Sequence, residues 1–270
     1  MIANFFQSLS DRGVEYLLIS GQATVLYGAA TFSEDIDLWV NPTSENRDRF
    51  TDALRNCRAR FYKLTPRLTV ENLSRGHGFH FVLPVGKDSE VFLDVMGRPP
   101  RVGSFAASLK TARCMETEWG AIRTTGLQPL VELKKTQRLE DYPIISKLAL
   151  AWFDQPECAK TSADVRWALQ NIFTLPELRI FLTEHPGAVD WLVENLPPAL
   201  AEMGRQLRAG GDARESVERQ VNEWMQHRIA DLQLADRRYW RKIVAELKSL
   251  RAAGKLVADE HGCVDTNCTN

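Results

Sequence analysis

Strand signals in this chain stop near Tyr142, and only helical spacing follows. That segregation predicts an α+β fold: a small mixed sheet with flanking helices, then an all-helical domain. At 270 residues there is enough chain for two modest cores, and the change of pattern divides it into 1–141 and 142–270. The expected strands run from Glu15 to Ile19, Ile36 to Val40, His80 to Pro84 and Val91 to Met96, with a hairpin over Met115 to Thr124. The turn Gly86-Lys87-Asp88 joins the third and fourth of these, and Arg67 to Gly78 reads as a loop. Helices are expected after Ser20-Gly21, after a Thr43/Ser44 cap, from Gln128-Pro129 and from Pro143. Later, Val217, Val221, Trp224, Met225, Ile229 and Leu232 form one apolar stripe, and Tyr239, Trp240, Ile243, Val244, Leu247 and Leu250 another. Gly210-Gly211 separates two helical segments, and the tail after Gly254 is expected to fray.

The chemistry is concentrated in Asp35-Ile36-Asp37-Leu38-Trp39-Val40. Side chains of a strand alternate faces, so Asp35 and Asp37 share one while Ile36 and Leu38 enter a core. Adjacent carboxylates repel unless a cation lies between them, and carboxylate oxygens suit a hard divalent ion. Asp94 stands between Phe92-Leu93 and Val95-Met96, in a strand able to pair beside the first. Three acids from two neighbouring strands can hold two Mg²⁺ ions, the arrangement that polarises a phosphoryl group and stabilises the attacking and leaving oxygens. The strand-turn-helix at Ser20-Gly21 precedes them and could present backbone N–H groups to phosphate.

These residues resemble the polymerase-β-type nucleotidyltransferase superfamily, which has a Gly-Gly or Gly-Ser turn, an Asp-x-Asp and a third acid on a later strand. The stretches Gly21-Gln22-Ala23…Tyr27-Gly28…Ser33-Glu34-Asp35-Ile36-Asp37-Leu38 and Gly126-Leu127-Gln128-Pro129-Leu130…Lys134-Lys135-Thr136-Gln137-Arg138-Leu139-Glu140-Asp141 are similar to its minimal bacterial branch, including AbiEii/MenT-type toxins. The resemblance covers roughly residues 14–150. It implies Mg²⁺-dependent transfer of a nucleoside monophosphate from an NTP, with Mn²⁺ as an alternative ion. The implied acceptor is a tRNA 3′ end, a protein hydroxyl or a small molecule, and a toxin–antitoxin setting is implied as well. Carried over position by position, Ser20 and Gly21 would cradle the triphosphate. Asp35, Asp37 and Asp94 would be catalytic metal ligands, with Asp94 also helping to deprotonate the acceptor hydroxyl. Lys134, Arg138 and Asp141, at i, i+4 and i+7 on one helical face, would lie near the nucleotide; a surface ion-pair stripe is the other reading. The turn here is Ser-Gly, and Glu140 stands where a basic residue is common.

Other features are less directive. Formal net charge is -1, so nothing global draws the chain to nucleic acid or an anionic membrane. Two basic clusters, Arg55/Arg58/Arg60/Lys63/Arg67 and Arg237/Arg238/Arg241/Lys242, face RNA or are solvated helix faces. His77 and His80 lack a metal-ligand pattern and read as loop or strand histidines, and the tail setting argues against zinc at His261, Cys263 and Cys268. No stretch approaches the roughly 20 apolar residues of a membrane span. The N-terminus lacks signal-peptide character, and five scattered cysteines suit reduced thiols, so a cytoplasmic protein is expected. Phosphate-loop, dinucleotide-binding, zinc-protease and serine-hydrolase motifs are missing from the sequence. A catalytically silent nucleotide- or partner-binding module, and a metal-dependent nuclease or phosphohydrolase, stay open beside the transferase.

Overall fold

The computed structural model describes residues 2–63, 65–86, 89–191 and 197–257. Lys87 and Asp88 of the expected turn, and the tail with His261, Cys263 and Cys268, lie outside the described residues. In order, the elements are α1 (Ile2–Asp11), β1 (Tyr16–Ile19), α2 (Ser20–Leu26), β2 (Ile36–Val40), α3 (Ser44–Asn56), β3 (Arg60–Phe61), β4 (Thr65–Pro66) and α4 (Val70–Ser74). Then come β5 (Gly78–Pro84), β6 (Glu90–Met96), α5 (Phe105–Leu109), β7 (Arg113–Thr117), β8 (Gly120–Thr124) and α6 (Leu127–Lys134). The helices α7 (Asp141–Phe153), α8 (Ser162–Gln170), α9 (Leu175–Glu184), α10 (Pro198–Arg208) and α11 (Glu215–Ala252) follow, with β9 (Leu256–Val257) last. The chain is α+β: a seven-stranded mixed sheet with helices, then long helices toward the C-terminus.

Two compact units emerge, one from residues 1–133 and 239–270, the other from 134–238. In the first, the sheet order is β3-β5-β6-β2-β1-β8-β7. β2 pairs antiparallel with β1 and parallel with β6, and β6 pairs antiparallel with β5. Alternation sorts the faces. Leu18, Ile36, Leu38, Val40, Phe79, Phe81, Leu93 and Val95 join the main core with residues of α1 and α3. Leu17, Ile19, Trp39 and Phe105 make a smaller cluster. Each large apolar side chain so buried contributes about 1.5–3 kcal/mol, which fixes strand register. A one-residue slip of β2 would carry Asp37 into the main core.

The segment from Arg67 to Gly78 is not all loop. Thr69 Oγ1 accepts from Asn72 N at 3.2 Å and caps the one-turn helix α4. The C-terminal part of α11 reaches this region through Glu246, which pairs with Arg75 at 2.5 Å and lies 3.3 Å from the buried His77 ring. β9 pairs with β4 in a separate two-stranded ribbon. The second unit is helical, with Phe153, Leu169, Phe181, Leu200, Met203, Val221 and Met225 among its buried residues. The stripe beginning at Val217 and the one beginning at Tyr239 belong to one uninterrupted helix, α11.

Candidate active site

The acids occupy a row across the sheet. Asp37 is the register partner of Ile19 on β1 and of Asp94 on β6, and Asp94 is the partner of His80 on β5. Directly opposed residues share a face, so Asp37, Asp94 and His80 project to the same side. Asp35 is one residue ahead of β2, and alternation puts it with Asp37. Apolar neighbours do the positioning, because Ile36, Leu38, Leu93 and Val95 are at most 1 % exposed and hold the acid face outward. Trp39, two residues beyond Asp37, donates from Nε1 to the Gly97 carbonyl at 3.0 Å and packs edge-on against Phe105.

The loop leading to Asp35 is braced by α2. Gln22 Nε2 donates to the Ser33 carbonyl at 2.7 Å, and Ser33 Oγ donates to the Asp35 carbonyl at 3.4 Å. A Cβ at Gly21 would lie 2.1 Å from Ser33 Oγ and 2.9 Å from Ser33 Cβ. Gly21 therefore has a packing duty: only a residue without a side chain admits the Ser33 loop. Ser20 has φ of 58°, a left-handed conformation at the first residue of α2, adjoining the Ile19 end of the row. Such strain in a residue other than glycine is concentrated at functional turns.

Electrostatics mark the row as crowded with negative charge. Burial raises the Asp35 carboxyl above its ordinary value, the charges of Asp94 and Glu34 raise it further, and Lys63 offsets part of the effect. A cation would relieve that repulsion, and three carboxylates are the oxygen donors a hard divalent ion takes. Among the described residues, however, no group of three or more His, Cys, Asp or Glu side chains is arranged to hold one ion. Asp94 is already engaged: its Oδ1 lies 2.7 Å from His80 Nδ1, with both side chains about one-third exposed, at 34 % and 29 %.

Lys134, Arg138 and Asp141 come together, but not on one helical face. α6 ends at Lys134, a turn follows, and α7 begins at Asp141, so the i, i+7 spacing crosses a break. Asp141 is 2 % exposed and Lys134 5 %. One Asp141 oxygen pairs with Lys134 Nζ at 3.0 Å; the other accepts from Thr136 Oγ1 at 2.6 Å and Arg138 Nε at 3.0 Å. The carboxylate is thus saturated from within its own unit, tying the end of α6 to the start of α7. Its place in the first turn of α7 also suits the helix dipole.

Sequence reasoning missed His80 as a neighbour of the acids, although hairpin geometry carried the signal. A hairpin centred on Gly86-Lys87-Asp88 places His80 and Asp94 at equal distances from its centre, hence opposite each other.

No family model matches the chain, and no curated protein matches it. Among solved structures it is similar to an antigenic nucleotidyltransferase-like protein from Paracoccidioides brasiliensis. Identity is 13%, the TM-score is 0.35, and the match covers 74% of this chain and 94% of that one. A superposition this loose fixes nothing about the site, which stands on its own geometry.

Proposed function

We propose that the acid row is the active site of a metal-dependent nucleotidyltransferase. The observation that carries this reading is the register of Asp37 with Asp94 on parallel neighbours, with Asp35 on the same face and the strained Ser20 turn adjoining. Asp35, Asp37 and Asp94 would hold divalent ions, which polarise the α-phosphate and stabilise the attacking and leaving oxygens. Backbone N–H groups at the start of α2 orient the triphosphate. The acceptor hydroxyl oxygen forms a bond to the α-phosphorus, and its proton passes to Asp94. The bond from that phosphorus to the bridging oxygen breaks, and pyrophosphate leaves with the electron pair. His80, against Asp94 Oδ1, holds that carboxylate in place. Lys134, Arg138 and Asp141 enter this proposal as a structural ion-pair hub rather than as nucleotide contacts.

The test is incubation with each labelled NTP and Mg²⁺ in cell lysate, following label into RNA, protein and small molecules. Label transfer by the native chain and none by the Asp35→Asn/Asp37→Asn variant is expected. Equal transfer by that variant refutes the mechanism. A second reading, a silent nucleotide- or partner-binding module, is favoured by the direct Asp94–His80 contact, which engages one oxygen of a carboxylate the enzyme would need for metal. NTP titrations with and without Mg²⁺ separate the two, since the enzyme needs metal-dependent binding.

A further inference from the structure

The carboxylate row does not end at His80. Tyr62 N donates to the His80 carbonyl at 2.9 Å, extending the β3–β5 pairing by one residue and putting Tyr62 opposite His80. Phe92 precedes Asp94 by two residues on β6 and shares its face. The Tyr62 and Phe92 rings meet at a centroid distance of 4.5 Å with 42° between their planes. They are nonetheless 37 % and 38 % exposed. Lys63 Nζ lies 4.6 Å from the Tyr62 centroid, and its charge reaches Asp35. Exposed Arg58, Arg60 and Arg67 surround this end of the sheet in sequence.

The distribution of exposed aromatics singles out this place. Among residues whose side chains are described, Phe32, Tyr62 and Phe92 are the exposed aromatics. Phe32, 73 % exposed, is three residues ahead of Asp35, and the other two adjoin Asp94 and His80. The half-open pair of rings, with cations beside it, presents an apolar face next to the carboxylate row. It is too small for a protein interface, which needs about 800 Å² from each partner. It is the size of a nucleobase, and sequence-tolerant single-strand binding combines aromatic faces with basic side chains.

We propose that Tyr62 and Phe92, with Lys63, form a stacking surface for a base of single-stranded nucleic acid, at the end of the carboxylate row away from Ser20. The assignment rests on the nucleotidyltransferase reading only in making that strand the acceptor. The Ser20-Gly21 end takes the NTP, the aromatic end the strand, and Asp94 lies between them.

Binding of a fluorescently labelled single strand of roughly ten nucleotides, as RNA and as DNA, to the full chain without NTP or metal tests it by anisotropy. Tyr62→Ala and Phe92→Leu should each weaken binding about tenfold or more, as loss of one stacked base does. Tyr62→Phe should retain it, and Lys63→Ala should weaken it and lower the salt slope by about one. Absence of oligonucleotide binding, or equal binding by Tyr62→Ala and Phe92→Leu, overturns the proposal. Its failure is distinct from failure of the enzyme reading. Transfer onto a protein or small molecule with no strand binding removes the platform alone. Strand binding that tracks Tyr62 and Phe92 without transfer removes the enzyme alone.

Discussion

The first unit has a charged cluster in the Asp35, Asp37, Asp94 and His80 row, and the second has one around Asp141. The acids of the first attract notice through alternation in apolar strands, and the residues of the second through the family resemblance and their helical spacing. In the row, carboxylates lie partly open to solvent, and burial together with the charges of Asp94 and Glu34 raises the proton affinity of Asp35. At Asp141 one buried carboxylate is saturated by Lys134, Thr136 and Arg138, each within 3.0 Å. Crowded, partly open carboxylates suit the ligand site proposed for the row, whereas a buried carboxylate with every oxygen paired suits the structural hub proposed at Asp141.

The largest effect expected from this contrast is on activity. Asp37→Asn should lower transfer by on the order of 10³-fold, comparable to losing a group that stabilises transition-state charge. Asp35→Asn should leave thermal stability unchanged or raise it, because the lost charge was repelled by Asp94 and Glu34. A clear loss of stability in Asp35→Asn, measured by urea denaturation, would erase the distinction between the two clusters.

Asp141→Ala should do the opposite, destabilising by about 3–5 kcal/mol because it leaves the buried Lys134 ammonium without its partner. Lys134→Met combined with Asp141→Leu should recover most of that loss, since a well-packed apolar pair can replace a buried ion pair. The check is the urea midpoint of each variant. Wild-type stability in Asp141→Ala, with weakened NTP binding, would return this cluster to the nucleotide.

The opposite face of the same sheet supplies a buried reference for the first unit. Tyr16, in the main core, has its phenol pushed up to about 12 by burial, with Cys114 raising it and Arg123 opposing. Its folded value exceeds the unfolded 10.0, so the folded state holds the proton longer. The resulting stability is complete below pH 10 and is lost as pH rises toward 12, to a total of about 2–3 kcal/mol. Urea titrations between pH 9 and 12 should show a steeper fall for the native chain than for Tyr16→Phe. Parallel curves would mean that the core face is wetter than its burial implies.

Local signals reached the sequence well, and pairings between distant segments did so unevenly. β2 spans Ile36 to Val40 as expected, because alternation and the Asn41-Pro42 stop are both local. The Thr43 cap of α3 is equally local, its side chain accepting from Asn46 N. Helix α4 went unread since five residues make no periodicity, and β3 is only two residues long. Tyr62 therefore came into the row without a strand signal. The single helical face expected for Lys134, Arg138 and Asp141 is not found, because spacing does not reveal the helix break at Lys134 that makes their contact a clasp between two helix ends.

The smallest stability change given a magnitude belongs to Ser20, where structure and chemistry pull in opposite directions. Its φ of 58° costs a residue with a side chain about 1–2 kcal/mol, and glycine removes that cost while adding chain entropy to the unfolded state. Ser20→Gly should therefore stabilise the first unit by about 0.5–1 kcal/mol. If the hydroxyl contacts the triphosphate, the same change removes a hydrogen bond to a charged group, and kcat/KM should fall about tenfold. Denaturation and initial rates on one protein sample measure both. Gain in stability with loss of rate assigns the strain to function. A gain in stability with the rate intact makes Ser20 an ordinary turn and leaves nucleotide orientation to the backbone N–H groups of α2.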